Sequence, residues 1–142
     1  MNTVKQLIQA KESPLATVSP DSTVREALQL MAEREIGAVL VVEDGQVVGL
    51  MSERDYARKV ILKGKASHDT RVRDIMTERV VFAHPHFSVH DCMALMSDKR
   101  IRHLPVIERG RLIGILSIGD LVKAVISEQQ FVIQQLENYI AS

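Results

Sequence analysis

The most constraining feature of this sequence is an internal repeat that needs no gaps. Residues 17–60 match residues 82–125 at a constant offset of 65 positions, and 12 of these 44 positions are identical. The identities include two glycines and the Ser-x-x-Asp motif that ends in Asp55 in one copy and in Asp120 in the other. Self-similarity at a fixed period indicates copies of one structural unit. The chain is therefore predicted to fold as two similar repeats.

Each repeat is predicted to open with a short extended segment and then a helix. Thr23-x-x-Glu26 and Ser88-x-x-Asp91 are the capping-box patterns that mark a helix start. Apolar residues then recur at helical spacing, which predicts one inward face. They are Val24, Ala27, Leu28 and Met31 in the first repeat, and Val89, Cys92, Met93 and Met96 in the second.

A β-hairpin is predicted after this helix in both repeats. Apolar runs at 38–42 and 104–107 are followed by the turn pairs Asp44-Gly45 and Arg109-Gly110 and by a second apolar run. A second helix is then expected from about Glu53 and from its counterpart in the second copy. The order β-α-β-β-α, written twice, predicts an α/β fold with mixed sheets.

The polar stretch 63–73 reads as the connection between the repeats. The predicted organisation is an N-terminal segment with a short helix (1–14), repeat 1 (15–62), the connection (63–73), repeat 2 (74–127) and a C-terminal helical extension (128–142). The last helix continues the apolar spacing, and this length is expected to cap the module or to contact a second chain. Its apolar positions are Val122, Val125, Ile126, Val132, Leu136 and Ile140.

Charge and cysteine content narrow the class of partner. The chain has 18 Lys and Arg against 18 Asp and Glu, so it has no excess of basic charge to attract nucleic acid or an anionic membrane. The lone cysteine, Cys92, excludes an internal disulfide framework and fits a reducing compartment. No apolar stretch has the length of a signal peptide or a membrane span. We expect a cytoplasmic protein that binds neither nucleic acid nor membrane.

Three motifs together resemble tandem CBS domains, the arrangement called a Bateman module. They are Ile101-Arg102-His103-Leu104-Pro105-Val106, the paired Gly-h-h-Ser-x-x-Asp motifs (h, hydrophobic) and Asp74-Ile75-Met76-Thr77. Ser52-Glu53-Arg54-Asp55-Tyr56 followed by Arg58-Lys59 is similar to a stand-alone CBS-pair subfamily of bacteria and plant organelles. The resemblance implies two pseudo-symmetric repeats packed sheet to sheet, with two clefts between them.

The resemblance also implies a function in energy sensing and regulation. Such clefts hold adenosine-containing ligands: AMP, ADP, ATP, NAD(H) or S-adenosylmethionine. AMP is the first candidate here, and no cofactor is required. The resemblance further implies a homodimer and an effector protein that the sequence does not identify.

The ligand residues implied by the resemblance fall into two groups. The first cleft is formed by Ser52, Arg54, Asp55, Thr77, Val81, Phe82, Arg102 and His103, and the second by Ser117, Asp120, Ala16, Thr17, Gly37 and Ala38. In each, the aspartate is expected to hold the ribose. The first cleft is basic and the second nearly uncharged, so we expect the first to prefer a phosphorylated ligand.

Each of these assignments has a structural alternative. Asp55 and Asp120 follow a serine by three positions and could simply cap a helix, while Arg102 and His103 could be a solvated surface pair. Cys92 aligns with an alanine on the inward helix face, which favours a buried, inert thiol.

Other functional classes find little support in the sequence. His84, His86 and His90 are spaced awkwardly for one metal ion, so no metal site is predicted. No catalytic motif is present, which argues against an enzyme. A dimeric interaction scaffold that binds no ligand stays the main alternative.

Overall fold

The computed structural model describes residues 3–11 and 15–141. Parts of the predicted N-terminal segment (1–14), and the last residue of the predicted extension, lie outside this description. The helices are α1 (Val4–Ala10), α2 (Val24–Arg34), α3 (Glu53–Tyr56), α4 (Val89–Lys99) and α5 (Ile118–Ala141). The strands are β1 (Thr17–Val18), β2 (Ala38–Glu43), β3 (Gln46–Ser52), β4 (His103–Glu108) and β5 (Arg111–Ser117).

The chain forms two compact units. Unit 1 contains residues 1–13, 82–108 and 113–142, and unit 2 contains residues 14–81 and 109–112. The N-terminal segment therefore belongs to the unit that carries most of the second repeat. The predicted residue boundaries of the repeats stay predictions.

Unit 2 is built on a mixed three-stranded sheet. Strand β1 pairs in parallel with β2, with Thr17 opposite Leu40, and β2 pairs antiparallel with β3, with Ala38 opposite Ser52. The inward face of α2 packs against this sheet, as the apolar spacing predicted. The buried cluster contains Val24, Ala27, Met31, Val39, Val41, Met51, Val60, Val72 and Ile75.

Unit 1 repeats the same local order with one difference. Strands β4 and β5 form a two-stranded sheet, and the segment that matches β1 joins this sheet by a single bridge, between Ala83 and Val106. The predicted first strand is thus reduced to one bridge in this copy. Its buried residues include Val4, Ala83, Val89, Cys92, Met96, Leu104, Val106, Leu116 and Leu121.

The backbone repeats as closely as the sequence does. Helices α2 and α4 both end on a left-handed residue, Glu35 and Arg100, each at φ 54°. Both predicted hairpin turns have positive φ at two successive residues, and the second is a glycine at φ 77° in each copy. Two such residues are what a tight hairpin turn requires. The repeat predicted from identities is therefore also a repeat of conformation.

The segment after repeat 1 contributes to the core of unit 2. The helix that starts at α3 continues as a π-helical turn, Ala57–Ile61, and a short 3₁₀ turn follows at Val72–Asp74. Val72 and Ile75 are fully or almost fully buried. The predicted polar connection therefore contains a core residue near its end. This residue is Val72, which lies among charged residues in the sequence but is buried in the structure.

Helix α5 is the longest element, with 24 residues. Leu121 is its one buried residue among those described, and the helix is exposed from residue 126 to 141. The predicted extension is thus a continuation of the second helix of repeat 2. No helix within the described part of the chain is long and apolar enough to cross a membrane.

Candidate functional site

The Ser-x-x-Asp motif of unit 2 forms a reciprocal cap at the start of α3. The Asp55 N–H donates to Ser52 Oγ at 3.2 Å, and the Ser52 N–H donates to Asp55 Oδ2 at 3.0 Å. The Ser52 hydroxyl also donates to Oδ2, at 3.1 Å. The capping role that the sequence left open is therefore present here.

The other oxygen of Asp55 is occupied as well. Thr77 Oγ1 donates to Oδ1 at 3.3 Å, and Lys59 Nζ lies 3.0 Å from the same atom. The Lys59 ammonium also donates to the carbonyl oxygen of Ile75, at 2.8 Å. Thr77 was predicted as a site residue, and the structure brings it to this carboxylate. Asp55 is only 8% exposed. The donors described above belong to this chain and satisfy most of the hydrogen-bonding capacity of its two carboxylate oxygens.

The motif of unit 1 forms the matching cap at the start of α5. The Ser117 N–H donates to Asp120 Oδ2 at 2.8 Å, and the Asp120 N–H donates to Ser117 Oγ at 3.1 Å. Lys11, just after α1, places its ammonium 3.0 Å from Oδ2 and 2.9 Å from the carbonyl oxygen of Ile115. These contacts of the Asp120 carboxylate all use its oxygen Oδ2.

The two carboxylates therefore differ in access. The side chain of Asp120 is 28% exposed, against 11% for Asp55. Burial raises the pKa of Asp120, but the Ser117 N–H and the Lys11 ammonium outweigh it, so the net pKa lies below the ordinary value. Asp120 is consequently ionised at neutral pH, and the contacts described above use only its Oδ2.

The two lysines come from different parts of the chain. Lys59 lies four residues after Asp55 on the same helical segment, whereas Lys11 is 109 residues from its partner. Repeat 2 has Ala124 at the position that matches Lys59. Neither lysine was predicted from the sequence as the partner of an aspartate. The sequence does contain one indication: because repeat 2 has no lysine at this position, a cation from elsewhere in the chain has to pair with Asp120.

The residues that precede the first hairpin strand lie beside these helix starts. The Glu53 N–H donates to the Gly37 carbonyl at 3.1 Å, and the matching Ile118 N–H donates to the Arg102 carbonyl at 2.9 Å. Arg102 is thus held next to the Ser117–Asp120 cap of its own unit. Its predicted grouping with residues of unit 2 stays a prediction.

The remaining predicted site residues are distributed over both units. In unit 2, Arg54 is exposed, Val81 is half-buried, and the pairing described above holds Thr17 and Ala38 in their strands. In unit 1, Phe82 is 42% exposed, and His103 begins β4. Half-buried Ala16 directly precedes β1. Their division into two ligand clefts stays a prediction.

An open cleft of about 330 Å³ lies in unit 2 beside the end of α2. It is lined by Leu28, Met31, Ala32, Glu35, Ile36, Gly37 and Glu53. One predicted ligand residue, Gly37, lines it, but Asp55 and Thr77 do not. The cleft therefore does not coincide with the carboxylate centre, and we assign it no ligand.

Two histidines of the second repeat, His84 and His86, lie close together. The rings of His84 and His86 stack with centroids 5.5 Å apart, and the Phe87 ring meets His84 edge-on at 5.3 Å. Within residues 3–11 and 15–141 no three His, Cys, Asp or Glu side chains are arranged to hold an ion.

Comparison with known proteins identifies the family. The family model of the CBS domain matches residues 4–62 and 72–127. The mitochondrial CBS domain-containing protein CBSX3 of Arabidopsis thaliana is 43% identical over 125 residues, which cover 84% of this chain and 61% of that protein. YhcV of Bacillus subtilis is 37% identical over 107 residues, covering 75% of this chain and 76% of the relative.

Solved structures agree. A CBS-domain protein of Burkholderia ambifaria is 49% identical and superposes with a TM-score of 0.86 over 89% of this chain and 96% of its own. Two solved structures with lower sequence identity have a similar fold. One is the CBS domain pair of protein MJ0100 in complex with 5′-methylthioadenosine and S-adenosylmethionine, and the other is a CBS domain protein of Pyrobaculum aerophilum in complex with AMP. These two are 24% and 23% identical, so they show likeness of fold alone. The chain belongs to the CBS-domain family and carries two CBS repeats in tandem.

Proposed function

We propose that this chain is a regulatory module that binds an adenosine-containing ligand at its two Ser-x-x-Asp centres and passes the ligand state to a partner protein. The observation that carries the proposal is a carboxylate held at the same place in each repeat, Asp55 and Asp120, by the same serine cap. Solved CBS proteins that contain AMP, or 5′-methylthioadenosine and S-adenosylmethionine, support it. AMP is the first candidate, and ADP, ATP and NAD(H) present the same adenosine group.

The chemistry of a carboxylate suits the ribose diol that these ligands share. The two hydroxyls donate, and the two carboxylate oxygens accept, with each charge-assisted bond contributing about 1.5–3 kcal/mol. Asp120 offers Oδ1 without rearrangement. Its Oδ2 already accepts from the Ser117 N–H and from the Lys11 ammonium. An sp² oxygen has two lone pairs, so a diol that engages both oxygens has to displace Lys11.

Ligand binding at Asp120 is therefore expected to release Lys11. Only its bond to the Ile115 carbonyl would then hold the ammonium. Since Lys11 directly follows α1, this exchange would loosen the N-terminal segment and give the partner a structural difference to read. A ligand shifts such an equilibrium only by its different affinity for the two states.

At Asp55 a ligand meets a carboxylate with two further side-chain partners. A ribose hydroxyl would have to replace Thr77 or Lys59 at Oδ1. Ribose binding at this centre is therefore expected to be weaker than at Asp120.

Phosphate contact is assigned to the basic residues predicted from the sequence: Arg54, Arg102 and His103. An arginine can hold a phosphate with two parallel hydrogen bonds. Arg102→Ala is thus expected to weaken binding of AMP far more than binding of adenosine. Equal losses for the two ligands, measured by calorimetry, would remove Arg102 from this role.

A thermal-shift screen tests the proposal as a whole. The purified protein is melted with AMP, ADP, ATP, NAD⁺, NADH and S-adenosylmethionine, and the screen is repeated with Asp55→Ala and Asp120→Ala. A ligand at 100 times its Kd adds about 2.7 kcal/mol of stability. A shift that one variant loses identifies the ligand and its centre. No shift with any of the six contradicts ligand sensing.

A ligand-independent dimeric scaffold is the second candidate, and the exposed apolar residues of α5 favour it. It predicts a stable oligomer that none of these ligands affects. Turnover of a bound nucleotide would instead point to an enzyme. The cytoplasmic location and the effector stay predictions, and one relative of the chain is mitochondrial.

A further inference from the structure

Residues 3–8, which we call the α1 segment, are held in unit 1 by backbone hydrogen bonds to distant residues. The N–H groups of Val4 and Lys5 donate to the carbonyl oxygens of Phe87 and Pro85, each at 2.9 Å. The Val4 side chain is fully buried. The surface of unit 1 beneath the α1 segment is therefore built to receive a short stretch of chain.

Residues 71–76, which we call the inter-repeat segment, have the same place in unit 2. The N–H groups of Val72 and Arg73 donate to the carbonyl oxygens of Ser22 and Pro20, also each at 2.9 Å. At the repeat offset of 65 positions, these two acceptors match the two that hold the α1 segment. Each unit thus binds one such segment in the same way.

The last side chain of each segment enters a slot that a glycine leaves open. A Cβ at Gly114 would run into Ile8, and a Cβ at Gly49 would run into Met76. The two glycines match at the same offset. The slot accepts a large, unbranched or branched aliphatic side chain in both units.

The basic residue of each segment faces a matching carboxylate. Lys5 Nζ lies 3.9 Å from Glu108 Oε2, and Arg73 Nη2 lies 3.9 Å from Glu43 Oε2. Glu43 and Glu108 occupy the same position of the repeat. The two segments therefore share one pattern: valine, a basic residue, a polar residue, leucine or isoleucine, and then isoleucine or methionine.

The α1 segment is bound less tightly than the inter-repeat segment. Arg73 Nε donates to Asp21 Oδ1 at 3.0 Å, but repeat 2 has His86 at the position that matches Asp21. Lys5 thus lacks the second carboxylate that its counterpart has. Leu7 is half-buried, whereas Ile75 at the matching place is 1% exposed.

The chain that follows each segment is also tied differently. In unit 2, Thr77 and Leu50 exchange two backbone hydrogen bonds, at 2.8 and 3.0 Å. In unit 1 the carbonyl that matches that of Leu50 belongs to Ile115, and it accepts from the Lys11 ammonium at 2.9 Å. A lysine side chain can change its rotamer without moving the backbone. The α1 segment is therefore the one that opens more easily.

We propose that the surface of unit 1 beneath the α1 segment is a docking site for an effector protein, and that the α1 segment is its internal occupant. The effector supplies a segment of the shared pattern, with a valine at position i and large aliphatic residues at i+3 and i+4. Helical anchors at these spacings are a common mode of peptide recognition. The docking site depends on the contacts above, whereas its opening by a ligand rests on the proposed function.

Hydrogen exchange in the wild-type chain tests whether the α1 segment opens by itself. NMR gives the protection factors of the Val4 and Lys5 amides, and the Val72 and Arg73 amides are an internal control in the same molecule. We expect protection at least about tenfold lower at Val4 and Lys5. Equal protection would overturn the proposal, because a segment that opens only with its whole unit cannot give way to a partner.

A peptide titration tests the docking site. The probe is a fluorescent peptide of residues 3–11, and the protein is the full chain with Val4→Asp, because a carboxylate does not fit this fully buried position. The peptide should bind this variant at least about tenfold more tightly than the wild type, in which the α1 segment competes. The same peptide with Val4→Asp is the control and should not bind. A peptide of residues 71–77 carries the shared pattern and should also bind.

A glycine substitution tests the location. Gly114→Ala, added to the Val4→Asp chain, fills the slot for the aliphatic side chain and should weaken peptide binding at least about tenfold. Gly119→Ala is the matched control, because its Cβ would have its nearest contact at 3.5 Å, and it should leave binding unchanged. Circular dichroism checks the fold of each variant. If Val4→Asp does not fold, the milder Val4→Ala replaces it in both titrations.

Three titration results would overturn the proposal. They are no binding to the folded variant, binding that Gly114→Ala leaves unchanged, and binding of peptide 3–11 but not of peptide 71–77. A wild-type dimer that the peptide dissociates, seen by sedimentation velocity, would replace the effector with the α1 segment of a second copy. All these measurements are made without an adenosine compound, so a failed thermal-shift screen and a failed docking site are distinguishable.

Discussion

Replacing Lys11 with methionine is expected to tighten the binding of an adenosine ligand at Asp120. The change removes the ammonium that occupies Oδ2 and keeps an unbranched side chain of similar length. In the wild type a diol has to break the 3.0 Å contact between Lys11 Nζ and this oxygen. In the variant both carboxylate oxygens are open to the ligand from the start.

The size of the effect follows from the exposure of the pair. The side chains of Lys11 and Asp120 are 30% and 28% exposed, which places the pair between a surface ion pair and a buried one. Surface pairs contribute about 0–1 kcal/mol, and hydrogen bonds to charged groups about 1.5–3 kcal/mol. Removing the competing Lys11 ammonium is therefore expected to make the free energy of ligand binding more favourable by about 1–2 kcal/mol. This corresponds to a roughly 5- to 30-fold lower Kd.

Isothermal titration with AMP measures the change in Kd directly. Lys5→Met is the matched control, because Lys5 lies on α1, which Lys11 directly follows, but its exposed contact at 3.9 Å is with Glu108 and not with Asp120. The control should bind like the wild type. An unchanged Kd in Lys11→Met would refute the competition. A higher Kd would mean that Lys11 contacts the ligand as a cation.

Three further predictions concern stability and reactivity. Asp120 has a lowered pKa in the folded state, so its contribution is present above the unfolded pKa of about 3.9 and is lost as pH falls through the folded value. The stability difference between the wild type and Asp120→Asn, measured by urea unfolding, should therefore shrink from pH 7 to pH 3. Burial, with a smaller effect of a neighbouring aspartate, raises the pKa of Cys92 to about 11, so thiol reagents at pH 8 should label it only in the unfolded protein. An alanine at Gly114 would drive its Cβ into the branched side chain of Ile8 and should cost about 1–3 kcal/mol, whereas Gly119→Ala, with its nearest contact at 3.5 Å, should not.

Local signals in the sequence were sufficient for most of the fold. The turns at Gly45 and Gly110 and the serine caps depend on residues within a few positions of one another, and the structure confirms them. One cap differs in detail. Thr23 accepts from the Glu26 N–H at 3.1 Å, but the Glu26 side chain does not complete the box. The aspartates at the same position of the other caps, Asp55 and Asp91, do complete theirs, since the Ser52 and Ser88 N–H groups donate to their carboxylates at 3.0 Å.

The features that the sequence did not reveal depend on contacts between distant residues. The first strand of repeat 2 shrinks to a bridge at Ala83, although its position in the repeat matches Val18 of β1. The assignment of residues 1–13 to the unit of the second repeat also has no local signature. Period and spacing describe one element at a time, so they do not determine which distant segment completes a unit.

The two aspartates show how this limit affects function. In repeat 1 the cation is Lys59, one helical turn from Asp55, and a helix fixes that spacing by its own geometry. In repeat 2 the matching residue is Ala124, and the cation comes from the N-terminal segment. A local pair can re-form without moving any other element, whereas the pair at Asp120 breaks only if a distant segment gives up a contact. If a ligand competes for both carboxylates, the exchange at Asp55 releases Thr77 or Lys59 of the same unit, whereas the exchange at Asp120 releases a residue 109 positions away that directly follows α1. The exchange at Asp120 therefore reaches further along the chain, and this makes it the better candidate for a signal that a partner can read.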